Sequence, residues 1–69
     1  MLILRKGKKV IKEYETTFDI AEDVELLTAI CGSNVKAAQD FLMRNAFTLA
    51  IIGSKARLGN GYIVEAKRA

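Results

Sequence analysis

Sixty-nine residues with eleven basic and eight acidic side chains, a net charge of +3, make a single small domain. Its length is near the lower limit at which a chain buries enough apolar surface to fold alone. With no histidine and one cysteine, Cys31, one chain can form neither a disulfide nor a thiolate–imidazole metal site. Hydrophobic residues nevertheless make up 51% of the chain, an excess over what one small core hides, which suits a homo-oligomer.

A lone thiol in an apolar run reads as a small buried hydrophobe in a reducing compartment, so a cytoplasmic protein is expected. Met1-Leu2-Ile3-Leu4 is too short for a signal-peptide core and is followed, not preceded, by positive charge. The apolar run from Phe47 to Ile52 is far shorter than the roughly 20 residues of a membrane span. Neither a membrane partner nor a cofactor nor a small-molecule substrate is expected.

Residues 2–18 read as a β-hairpin. Leu2-Ile3-Leu4 is a short apolar strand, and Lys6-Gly7 supplies a turn in which glycine can take positive φ. From Val10 the pattern alternates, placing Val10, Lys12, Tyr14, Thr16 and Phe18 on one face and Glu13 and Glu15 on the other. The face with Val10, Tyr14 and Phe18 is the expected core face, and the glutamate face should be wet.

A helix is expected over residues 20–31. Asp19 is a suitable N-cap, and Glu22 follows three residues later, as a capping box requires. Ile20, Val24, Leu27 and Ile30 or Cys31 form its buried stripe, and Gly32 ends it. Ser33-Asn34 restarts the chain into a second helix striped by Val35, Ala38, Leu42, Ala46 and Leu49. The two helices form a helix-turn-helix-like hairpin, but Asn34, Lys36, Ala37, Gln39 and Asp40 are a poor set for reading bases.

The end of the second helix has two readings. One carries it past Ile52 to Leu58, with Lys55 and Arg57 at the negative end of the dipole and Gly59 as cap. The other stops it near Asn45 and makes Phe47 to Ile52 a strand. The helical reading is preferred because no strong breaker lies between Arg44 and Gly53. After the turn Gly59-Asn60-Gly61, Tyr62 to Glu65 reads as a strand joining the hairpin. The expected order is β-β-α-α-β, an α+β fold.

Function rests on the cations. Arg5, Lys6, Lys8, Lys9 and Lys12 place five basic residues within eight positions, read as a protruding hairpin tip that would lie on phosphates. Lys55, Arg57, Lys67 and Arg68 are secondary candidates. The ordinary reading of such a tip is a solvated turn that discourages edge-to-edge pairing. No catalytic site is expected: without histidine, acid–base work would fall to carboxylates that capping and solubility already explain. The expectation is a small nucleic-acid-binding accessory or regulatory protein, with DNA favoured over RNA as the partner, of the kind phages or mobile elements encode. The alternative is a homo-oligomeric interaction module using the apolar second helix through Phe41, Ala46, Phe47, Ala50, Ile51 and Gly53.

Overall fold

The structure, a computed structural model, describes residues 1–68. Two hairpins lie side by side. The first pairs β1 (Leu2–Lys6) with β2 (Lys9–Tyr14), and the second pairs β3 (Lys55–Gly59) with β4 (Tyr62–Ala66). Antiparallel pairing of β1 with β4 joins them into a four-stranded sheet in the order β2-β1-β4-β3. Between the hairpins the chain forms α1 (Thr17–Glu22), α2 (Val24–Cys31), α3 (Val35–Arg44) and the single turn α4 (Ala46–Leu49). The class is α+β, in the expected order with one strand more.

The helices cover one face of the sheet. Leu2, Leu4, Val64 and Ala66 meet Ile20, Leu27, Ile30, Ala38, Leu42 and Leu49 in one core. Each large aliphatic side chain sealed there contributes about 1.5–3 kcal/mol. Ile3, only 3% exposed, belongs to the other face. It lies in register between Glu13 and Glu65, at the centre of the face the helices leave open. Of the expected wet face, Glu13 lies on this open side, whereas Glu15 follows the end of β2 and lines a cleft beside α1 and α4; both glutamates are exposed.

Val10 and Phe18 are not core residues. In β1–β2 the register runs Leu4↔Lys12 and then Arg5↔Val10, so Ile11 is an extra residue in a β-bulge. The bulge shifts the alternation by one and turns Val10, 48% exposed, to the open face. Tyr14 remains buried on the helix side. Phe18 has left the sheet and sits in the first turn of α1.

The first helix is two. Thr16, not Asp19, is the N-cap of α1, and Asp19 completes the capping box as its N3 residue. Asp23 breaks the helix and caps α2 in turn, which leaves Val24 exposed while Ile20, Leu27 and Ile30 stay buried. Gly32 caps α2 at φ +60°, as expected. Ser33 and Asn34 lie in a 3₁₀ turn, and Asn34 makes no capping bond through its side chain.

Neither reading of residues 46–58 holds. The helix running to Leu58 stops at Arg44, where the Asn45 side chain donates to the Phe41 carbonyl at 2.8 Å and competes with the helical bonds. Residues 47–52 are not a strand either: α4 takes them to Leu49 and a turn through Gly53 follows. Residues 55–59, assigned above to a helix end, are β3.

Candidate nucleic-acid interface

The hairpin tips meet at one end of the sheet. Because β1 and β4 are antiparallel, Lys6 lies opposite Tyr62, and the Gly7 N–H donates to the Gly61 carbonyl at 3.4 Å. The first tip is therefore level with the second and does not protrude. Gly7 takes positive φ at the first central position of its turn, as type II′ turns do. Asn60 and Gly61, at φ +53° and +82°, both occupy the left-handed region that a type I′ turn requires. The Asn60 amide donates to the Ile30 carbonyl at 2.9 Å, tying the second tip to the end of α2.

Lys6, Lys8 and Lys9 are exposed at this end. The Lys6 ammonium lies 5.2 Å from the centre of the Tyr62 ring, a cation–π distance that holds the charge near the second tip. On the open face, register aligns Arg57, Ile63, Arg5 and Val10 in one row. The next row holds Lys55, Glu65, Ile3 and Glu13. A shallow groove of about 320 Å³ at the second tip is lined by Arg57, Gly59–Gly61, Tyr62 and Ile63.

Not every candidate cation is free. Arg5 Nε donates to Glu65 Oε1 at 3.0 Å, and its guanidinium also donates to the Gly7 carbonyl. That pairing, with Lys55 and Lys67 nearby, holds the Glu65 carboxyl below the usual carboxylate range. Lys12 belongs to the helix side: its ammonium reaches Asp23 Oδ2 at 2.8 Å across the Tyr14 ring. Lys67 and Arg68 follow β4, whose last residue, Ala66, lies about 13 Å from Tyr62 and the tips. Lys55, opposite Glu65, is nearer that far end. The sheet thus gathers Lys6, Lys8, Lys9 and Arg57 toward one end, holds Arg5 in an ion pair, and places Lys55 and Lys67 farther along. Two carboxylates share the open face, Glu65 paired and Glu13 exposed.

The charge of the molecule is divided between its layers. The strands, their turns and the basic tail hold nine of the eleven basic and two of the eight acidic residues, a net +7, whereas residues 15–54 hold two basic and six acidic residues, a net −4. The position of β3 in the sheet produces this division, and the helical reading of Lys55 and Arg57 hid it. A signal for β3 exists in the sequence: Asn60-Gly61 marks a two-residue hairpin, and Lys55-Ala56-Arg57-Leu58 before it alternates polar and apolar.

The α2–α3 hairpin is built for packing. Gln39 Nε2 donates to the Ala21 carbonyl at 2.7 Å, so this polar group of α3 is engaged with α1. Among the apolar candidates, the segment carrying Ala46, Phe47, Ala50, Ile51 and Gly53 runs past the end opposite the hairpin tips, where Ala46 and Ala50 line a cleft with Met1 and Leu2 and the Gly53 N–H donates to the Ala66 carbonyl. Phe41 lies elsewhere, in a cleft between α2, α3 and β3 with Cys31 and Arg57. Among the described residues no cluster of acidic or cysteine side chains could hold a metal ion, and no helix is long and apolar enough to cross a membrane. Comparison with known protein families, with curated proteins and with solved structures found no match to this chain.

Proposed function

We propose that this protein is a cytoplasmic nucleic-acid-binding accessory or regulatory factor. It holds phosphates, with duplex DNA the favoured partner, at the cationic end and open face of its sheet. The observation that carries this reading is the separation of charge between a +7 sheet layer and a −4 helical layer. A polyanion is drawn to the first and repelled by the second, which orients it before contact. The open face carries Arg57, Ile63, Arg5 and Val10 without an aromatic side chain in register. Tyr62 is the one aromatic side chain lining the groove at the cationic end, and a single ring falls short of the successive stacking platforms that single strands use, which favours a duplex backbone.

Lys6, Lys8, Lys9 and Arg57 are the contacts of first rank, with Lys55, Lys67 and Arg68 extending the surface. Four phosphate contacts give a slope of log affinity against log salt of about −3.6, a loss of roughly a hundredfold between 50 and 200 mM salt. Lys8→Glu combined with Lys9→Glu should weaken binding to all sequences alike and flatten that slope by about two. Mobility-shift titrations of duplex and single-stranded DNA and of RNA, at both salt concentrations, test this. Failure of the wild-type chain to retard any of them at 50 mM salt overturns the reading.

A second reading, a homo-oligomeric assembly or interaction module, rests on a different observation. Phe47 projects from α4 with 91% of its surface exposed. Salt should leave that association nearly unchanged, because apolar burial, not counterion release, drives it.

A further inference from the structure

We infer that the apolar end of the molecule, built by Phe18, Phe47, Ile51, Ile52 and Met1, is a two-fold docking surface for a second copy of this chain. This rests on the assembly reading and narrows it to one surface and one partner. The backbone assembles the patch from distant segments. The Lys67 N–H donates to the Met1 carbonyl at 2.8 Å, and the Gly53 N–H donates to the Ala66 carbonyl at 2.8 Å. These bonds bring the start of β1, the end of β4 and the turn after α4 together. The start of α1 joins them across a cleft of about 300 Å³ lined by Met1, Leu2, Phe18, Ala46, Leu49 and Ala50, with Glu15, Thr16 and Thr17 at its side.

The area is sufficient. Phe47, Ile51, Phe18, Ile52 and Met1 are 91, 63, 60, 59 and 40% exposed, and together they present on the order of 600 Å². That is at the top of what monomers leave in water. A symmetric pair covering both patches removes about 1,200 Å², where the range of stable interfaces begins.

Shape and charge select the occupant. A two-fold interface needs a knob and its hole on the same patch. Here Phe47 stands beside a cleft whose walls include the small Ala46 and Ala50, so each copy can offer the ring and receive its partner's. Glu15 is the one charged side chain among the described residues lining the cleft. Asp19 and Glu22 lie on α1 beside it. The Met1 ammonium, which donates to the Lys67 carbonyl, and Lys67 itself stand on the β4 side of the patch, so both signs of charge flank it and a two-fold axis can set the acidic side of one copy against the basic side of the other. Pairing through this end leaves the hairpin tips of both copies free.

Sedimentation velocity of the intact chain from about 1 to 500 μM tests the inference. The mass should rise from the 7.6 kDa monomer to twice that value. Phe47→Ser, which removes an exposed side chain and leaves the core intact, should weaken dimerisation by about 30-fold or more. Phe41→Ser, in the separate cleft, should leave it unchanged. Thermal melts of each variant at one concentration establish that the fold is kept. A wild-type chain that stays monomeric throughout overturns both the inference and the self-assembly reading. An oligomer that survives both Phe47→Ser and Ile51→Ser overturns the inference alone. A monomer that binds phosphatidylcholine–phosphatidylglycerol vesicles through Phe47 assigns the patch to lipid and also overturns it.

Discussion

The Asp23 carboxylate joins three elements. Oδ2 accepts from the Lys12 ammonium and the Tyr14 hydroxyl, both at 2.8 Å, and Oδ1 accepts from the Leu26 N–H at 3.3 Å. One side chain therefore breaks the helix, caps α2 and fastens edge strand β2 to the helical layer. The bond from Lys12, followed by that from Tyr14, holds the Asp23 carboxyl below its ordinary range. Burial, reinforced by the negative partner, pushes the Tyr14 hydroxyl well above its ordinary value. The two shifts stabilise the fold over opposite limits of pH. The share from Asp23 is complete above its unfolded value, about pH 4, and is lost as pH falls through the lower folded value. The share from Tyr14 is complete below about pH 10 and is lost as pH rises beyond it, because only the unfolded state then releases the proton readily. Asp23→Ala should cost about 2 kcal/mol, from the lost cap and the unpaired tyrosine hydroxyl. Urea denaturation at pH 7 measures that loss. Repeating it near pH 3 should show a smaller gap between variant and wild type. In the sequence Asp23 reads as one more acidic residue in a helix start, because its partners on β2 come together with it only after folding.

At the scale of elements, the two hairpins were unequally legible. The first announces itself by Leu2-Ile3-Leu4 and the Lys6-Gly7 turn, and both its strands form. Its bulge does not announce itself, since the extra Ile11 follows from pairing with β1 and not from any local preference of β2. The second hairpin is only half legible: Tyr62 to Glu65 carries a strand signal, whereas the pattern through β3 also suits a helix end. Local propensity at Lys55–Leu58 permits either state, and pairing with β4 decides between them. The turn itself is specified, because Asn60 and Gly61 hold φ values that most residues adopt only at a cost. Gly61→Ala places a Cβ in ordinary contact with the Lys6 side chain, 3.9 Å away, so backbone strain is its main penalty, about 1–2 kcal/mol. Asn60→Ala should cost about as much, through the lost left-handed preference and the freed Ile30 carbonyl. Chemical denaturation of the two variants checks both values, and a neutral outcome at both positions would remove the turn from the forces that hold β3 in place.

At the scale of the whole molecule, the division of charge between layers makes a comparison possible that no single residue offers. Lys55→Glu with Arg57→Glu and Lys36→Glu with Arg44→Glu change the net charge by the same amount, but on different layers. The first pair should weaken duplex DNA by roughly tenfold or more at 50 mM salt, and the second should change it little. Fluorescence anisotropy with labelled duplex measures both, and equal losses would mean that total charge and not its placement governs binding. The amino-acid order alone determined the small α+β class, the first hairpin, the glycine stop at Gly32 and the buried stripe of Ala38, Leu42 and Leu49, because these depend on contacts and propensities within one or two turns of chain. Only the tertiary structure decided that residues 55–59 are a strand, that Lys12 and Arg5 are tied into ion pairs, and that Met1 and Phe18 line one cleft with Ala46 and Ala50. Each of those outcomes depends on a partner distant in sequence, and its free energy appears only when the two meet.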